Sequence, residues 1–131
     1  LADIKRAGDD LTIVTWGPAL HDALKAAETL KNELRIEAEV IDLRSLVPLD
    51  MLTVLRSVQK TGRCIVASQA VNIGSFTGDI VARIMEEAFD DLDAPVLRVG
   101  ARDGIAPQSH VLEAAFLPNA GDIVAAAKRI L

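Results

Sequence analysis

The stretch Glu39-Val-Ile-Asp-Leu-Arg-Ser-Leu-Val-Pro-Leu-Asp50 carries a β-branched strand pattern into a proline-bearing turn that opens a helix. The same alternation runs along the chain. Leu11-Thr-Ile-Val-Thr-Trp16 reads as a buried strand, and Gly17-Pro18 ends it, with Pro18 at a first-turn helical position where its missing N–H costs nothing. Ala38–Leu43, Cys64–Ser68 and Pro95–Val99 read as three more core strands, with helical segments between them. Strands that alternate with helices predict a parallel sheet joined by right-handed crossovers. The expected architecture is three-layer α/β: a mostly parallel sheet of about five strands with helices on both faces. Leu1–Ala7, before the Gly8-Asp-Asp turn, supplies a short edge strand that can run antiparallel.

Helical spacing sets the expected inner faces. The first helix should bury Leu20, Leu24, Ala27, Leu30 and Leu34, with His21, Lys25 and Glu28 outward. The second, capped by Asp50 and stopped by Gly62, should bury Leu52, Leu55 and Val58. The third, capped by Ser75 or Thr77, should bury Val81, Ile84, Met85, Ala88 and Leu92. Asn119 should cap a last helix bearing Ile123, Val124, Ala127 and Ile130.

At 131 residues the chain is expected to form one domain, residues 1–131. Lacking an initial Met and starting mid-pattern, it reads as a fragment of something longer. Half of its residues are hydrophobic but only 3% are aromatic, so Val, Ile, Leu and Ala must build the core. A net charge of −5 with no Lys/Arg cluster argues against nucleic acid. No signal peptide and no apolar run of membrane-spanning length is visible, which points to a soluble intracellular domain. Cys64, the single cysteine, excludes an intramolecular disulfide and sits in an apolar pattern that favours a buried, inert thiol.

Candidate sites are few. The first strand–helix turn, Thr15-Trp-Gly-Pro-Ala-Leu-His21, has one glycine and neither phosphate-binding glycine pattern, which argues against an independent dinucleotide site. His21 and His110 have no ligand partners at metal spacing, and Ser109 beside His110 is poorly placed as a nucleophile pair. Both histidines read as surface or interface residues, although His110 falls in a long loop where functional groups concentrate. Asp42 and Arg44 read as a local ion pair. Glu86–Asp93 packs five acids into eight residues. A solvated face is the plain explanation, and an acidic docking patch for a basic partner is the sharper one. No catalytic, cofactor-binding or metal-binding residue emerges.

EVIDLRSLVPLD resembles the strand–turn–helix signature in the C-terminal domain of transketolase-like enzymes. Within them it is most similar to the β subunit of the E1 component of 2-oxo acid dehydrogenase complexes. Ser57-Val-Gln-Lys-Thr-Gly-Arg63 resembles that family's S-V-x-K-T-G-R turn. Glu86–Val99 resembles its E-E-A-F-x-x-L-x-A-P-V-x-R-V run, and Leu112–Pro118 its closing L-E-x-A-Y/F-L-P. Two segments depart from the pattern. Ser68-Gln-Ala70 stands where His-Glu-Ala or Asp-Glu-Ala is usual, and Ile73-Gly-Ser-Phe-Thr77 stands for T-G-G-F-G. Gln69 removes a charge, and Thr77 in place of Gly forbids an easy positive φ.

The resemblance implies a transketolase C-terminal-like fold and an oxidoreductase built as a multienzyme complex, acting on pyruvate, a branched-chain 2-oxo acid or acetoin. Thiamine diphosphate and Mg²⁺ would belong to the parent enzyme and not to this domain, which would be inactive alone. Its expected partners are the E1 α subunit, a second E1 β subunit and the E2 subunit-binding domain, in the bacterial cytoplasm or the mitochondrial matrix. Subunit contact is expected around Gln69, Asn72 and Phe76, and E2 docking at Asp90, Asp91, Asp93 and Leu131. The alternative is a stand-alone α/β regulatory or ligand-binding module derived from this fold.

Overall fold

In the computed structural model, which describes residues 1–44, 50–71, 76–101 and 119–131, the β-branched runs form five strands. They are β1 (Asp3–Arg6), β2 (Leu11–Thr15), β3 (Ala38–Asp42), β4 (Cys64–Val71) and β5 (Leu97–Ala101), paired in the order β1-β3-β2-β4-β5. Three of the four pairings are parallel, and at one edge β1 runs antiparallel to β3. Helices α1 (Ala19–Leu34), α2 (Met51–Thr61), α3 (Phe76–Ala88) and α4 (Ala120–Ile130) cover both faces of the sheet. The expected three-layer arrangement and its antiparallel edge strand are both present.

The two faces differ in chemistry. Leu11 and Ile13 of β2 point into a cluster with Ala23, Leu30 and Ile123, between the sheet and α1 and α4. Val14 points the other way, towards Val54 of α2 and Ile84 of α3. Thr12 shares that second face. Its hydroxyl lies 2.7 Å from both Ser57 Oγ and Thr61 Oγ1 on α2, and all three residues are buried. Beside Thr12 in register stands Glu39 of β3, 2% exposed, whose Oε1 accepts from Lys60 Nζ at 2.6 Å and from the Gly8 N–H at 3.3 Å. Burial alone would push the Glu39 carboxyl up. The hydrogen bonds from Lys60, Ser57 and Gly8 outweigh it and hold the group below its ordinary value.

This polar layer corrects the helix faces expected from apolar spacing. On α2 the buried residues are Met51, Val54, Ser57, Val58 and Thr61, while Leu52 is 59% exposed and Leu55 half-buried. The helix is turned so that its hydroxyls meet Thr12, which a count of apolar side chains cannot register. On α1 the buried stripe is Ala19, Ala23, Ala26, Ala27 and Leu30, with Leu20 and Leu24 flanking it and Leu34 43% exposed. Small side chains let α1 approach the sheet and α4, and the leucines fill the margins. On α3 Thr77, Ile80, Ile84 and Ala88 are buried and Val81 and Met85 half-buried, while Leu92, expected on this helix, lies beyond its end and is half-buried. Ile123, Val124, Ala127 and Ile130 of α4 are buried as expected.

The element ends follow local chemistry. Asp50 Oδ1 accepts from the Thr53 N–H at 3.2 Å and so caps α2. Its Oδ2 takes the Thr53 hydroxyl at 2.7 Å and the Ala2 N–H at 3.1 Å, which ties the edge strand to the helix cap. Asn119 and Asp122 form a reciprocal capping box on α4. Pro18 is the residue before α1 and not within its first turn, because Gly17 turns the chain at φ 63. Ser75 lies outside the described residues, and Thr77 is already inside α3. The fourth core strand starts at Leu97, two residues later than Pro95, and β4 runs on beyond Ser68 to Val71.

Candidate functional site

Every parallel strand ends at the same side of the sheet, so the domain has a carboxyl end and an amino end. The residues expected to dock a partner gather at the amino end. Helix α3 stops at Ala88, and Phe89–Asp91 continue as a 3₁₀ turn closed by the Leu92 N–H on the Phe89 carbonyl at 3.2 Å. The chain is then pinned: the Asp93 N–H donates to the Gly62 carbonyl at 2.8 Å. Gly62, at φ 74, ends α2, and the Asp93 carboxylate lies where a Cβ on Gly62 would stand. Glycine is needed there for its left-handed backbone angle, since the Asp93 carboxylate ends an exposed, flexible side chain that could move aside.

Glu86, Glu87, Asp90, Asp91 and Asp93 are all exposed, and none of them joins an ion pair among the described residues. The next residue after Gly62, Arg63, donates from Nε to the Ile130 carbonyl at 2.8 Å. The turn Thr61–Arg63 therefore fixes both the acidic segment and the end of α4, where Leu131 is 40% exposed. Among the acids the sequence hid an apolar feature. Phe89 is 64% exposed and, with Met85, Leu92 and Pro95, lines an open groove of about 510 Å³ that Asp90 and Asp93 also line. An aromatic residue inside an acidic run, in a chain with only one Trp and three Phe, was the available signal.

The residues expected at the subunit contact lie at the carboxyl end. Gln69 is half-buried near the end of β4, and Phe76 is the first residue of α3, its side chain outside the described set. Asn72 lies outside the described residues, as do Ser109 and His110. The two departures from the family pattern meet here. Ser68 Oγ and Thr77 Oγ1 are 3.1 Å apart and both residues are buried, so each hydroxyl gives the other a partner. Thr77 is helical and not left-handed, so no glycine is required at that position.

His21 is exposed on α1. Asp42 and Arg44 interact, but through the backbone: the Arg44 N–H donates to Asp42 Oδ1 at 3.0 Å, and Arg44 takes φ 61. This is a turn bond in place of the expected ion pair. Cys64 is fully buried, and burial pushes its thiol up to about 12, far from the range of a nucleophile. Among the described residues no three His, Cys, Asp or Glu side chains are grouped to hold a metal ion, and no helix is long and apolar enough to cross a membrane.

Comparison with known proteins agrees with this architecture. Residues 1–123 match the family described as "Transketolase, C-terminal domain". The chain is 45% identical over 130 residues to the pyruvate dehydrogenase E1 component subunit beta of Bacillus subtilis (strain 168), covering 99% of this chain and 39% of that one. It is 44% identical over 130 residues to the acetoin:2,6-dichlorophenolindophenol oxidoreductase subunit beta of Cupriavidus necator (strain H16), covering 99% of this chain and 38% of that one. The chain thus spans about two fifths of the length of these curated relatives. Among solved structures, a split gene transketolase described as an inactive β4 tetramer superposes with a TM-score of 0.84 at 32% identity, over 100% of this chain and 41% of that chain. The chain belongs to the transketolase C-terminal domain family, and its relatives include a pyruvate dehydrogenase E1 component subunit beta and an acetoin oxidoreductase subunit beta.

Proposed function

We propose that this chain is the C-terminal domain of a thiamine diphosphate-dependent 2-oxo acid dehydrogenase E1 β subunit, and that it serves subunit assembly and E2 docking in place of catalysis. The observation that supports this most is the extent of similarity to E1 β relatives, over 99% of the chain. Pyruvate, branched-chain and acetoin types remain the proposed substrate classes, and the bacterial cytoplasm or mitochondrial matrix the proposed compartment. The partners are the E1 α subunit, a second E1 β subunit and the basic subunit-binding domain of E2. Thiamine diphosphate and Mg²⁺ belong to the rest of the enzyme. The chain alone is therefore expected to bind neither, and micromolar affinity in calorimetry would overturn that part.

Docking is assigned to the amino end of the sheet. Asp90, Asp91 and Asp93 stand exposed on a segment whose backbone is pinned to Gly62, so they meet a cationic partner without first being ordered. Leu131 sits at the end of the neighbouring helix, held by Arg63. The test replaces Asp90, Asp91 and Asp93 by Asn together in the assembled enzyme and measures E2 binding at two ionic strengths. The expected result is a loss of about tenfold or more at low salt that shrinks as salt rises. Equal affinity of the folded triple variant and wild type at both salts contradicts the assignment.

A further inference from the structure

The acidic segment is more than a patch of charge, because an exposed aromatic residue lies inside it. We infer that the groove over Phe89 is an anchor site that takes an apolar side chain from a helical or extended segment of a partner protein, one that carries Lys or Arg on both sides of that side chain. The inference rests on the docking role proposed above and adds to it the chemical class of segment that fits.

Charge complementarity fixes the occupant. The lining is mixed: Met85, Phe89, Leu92, Ala94 and Pro95 are apolar, and Asp90 and Asp93 are exposed carboxylates. An apolar side chain in the groove carries its neighbouring residues past those carboxylates, where acidic ones meet like charge and basic ones meet opposite charge. A volume of about 510 Å³ has room for one large side chain with its backbone, and the open shape suits a segment laid over it better than an enclosed small molecule.

The site is also rigid. Pro95 has a fixed backbone angle, the Leu92 N–H closes the turn that carries Phe89, and the Asp93 N–H is bound to the Gly62 carbonyl. Leu92 reaches down into the cluster between the sheet and α2 and α3, so one side of the lining is continuous with the core. Phe89 itself is 64% exposed and contributes little to that core. An aromatic side chain that loses so much contact with water on binding is the residue type that dominates interfaces. Its neighbours, charged and solvated in the free protein, would form the water-excluding rim.

The two contributions separate by their salt dependence. An apolar anchor acts mainly on dissociation and is insensitive to salt, while rim charges act on association and are screened. The experiment uses the assembled full-length enzyme, with the E2 subunit-binding domain as probe, and compares wild type with Phe89→Ala, Phe89→Leu and Asp90→Asn by surface-based kinetics across a salt series. Phe89→Ala is expected to weaken binding about tenfold, mostly through faster dissociation and equally at every salt. Phe89→Leu should recover most of that loss. Asp90→Asn should weaken binding in proportion to how little salt is present. Circular dichroism and sedimentation confirm that each variant is folded and assembled.

If Asp90→Asn weakens binding and Phe89→Ala does not, the anchor is wrong and the electrostatic docking role stands. If neither variant has an effect, both fall. If Phe89→Ala instead changes the assembly state of the enzyme with E2 binding intact, the groove is covered by another copy of the chain, and the inference is overturned.

Discussion

The two faces of the sheet are built on different physics. Between β2, α1 and α4 the core is built mainly of alanine and branched aliphatic side chains, with the Thr15 hydroxyl buried at the end of β2, and its stability comes chiefly from close packing. Across the sheet, the layer under α2 and α3 is threaded by hydroxyls and one half-exposed ion pair: Thr12 with Ser57 and Thr61, Glu39 with Lys60, and Ser68 with Thr77. The first face tolerates no loss of volume. The second also specifies register, since each polar group must meet its partner or be left unsatisfied. The proposed docking surface lies at the end of the second face, where α2 stops.

The comparison is broken most strongly on the first face. Leu30 is fully buried in α1, and Leu30→Ala should lower the unfolding free energy by about 3 kcal/mol, the cost of transfer plus a cavity that the alanine-lined contact cannot close. Chemical denaturation of the variant checks this. A loss under about 1 kcal/mol would mean that the face is loosely packed.

The ion pair comes next. Lys60→Met leaves Glu39 buried with only the Ser57 and Gly8 hydrogen bonds. The expected cost is about 2 kcal/mol at neutral pH, below the range for a fully buried pair because the Lys60 side chain is 43% exposed. The pH dependence has a definite sign. The Glu39 carboxyl is held below its reference value of 4.5 in the folded chain, so its contribution is complete above that pH and is lost as pH falls through the folded value. The Lys60 ammonium is held above 10.5 by Glu39, so its contribution is complete below that pH and lost as pH rises through the folded value. Wild type and Lys60→Met should therefore converge in stability on acidification, as protonation of Glu39 relieves the variant. Parallel stability curves from pH 7 down to about pH 3 would show that the pair is energetically idle.

Smaller effects belong to the hydroxyls. Thr12→Val keeps the shape and removes the group that joins Ser57 to Thr61, and should cost about 1 kcal/mol, since Thr61 keeps the Arg63 carbonyl as a partner. Smallest is the coupling between Ser68 and Thr77. Each Ala substitution should cost about 1 kcal/mol, and the double variant about 0.5–1 kcal/mol less than their sum. Strict additivity would mean that the 3.1 Å contact is incidental.

This contrast also explains what the sequence revealed. The strand–helix alternation, the Asp50 and Asn119 caps and the Gly62 stop are local signals, encoded within a few residues, and each was legible. The inner face of α4 was legible too, because its burial is purely apolar. The face of α2 was not, because Ser57 and Thr61 turn inward to meet Thr12, more than forty residues away. Glu39 shows the same limit: as one letter in a strand it gives no sign of Lys60 lying across it. At the docking end, the acids stood out by density, while Phe89 was hidden because its exposure depends on where α3 stops and the 3₁₀ turn begins.

The central claim, that this domain binds its partner at the amino end of the sheet, is tested most directly by hydrogen exchange on the assembled enzyme with and without the E2 subunit-binding domain. The account predicts new protection concentrated in residues 86–95 and in the last turn of α4, with the edge strand Asp3–Arg6 unchanged. Protection confined to other regions, with residues 86–95 exchanging as before, would contradict it.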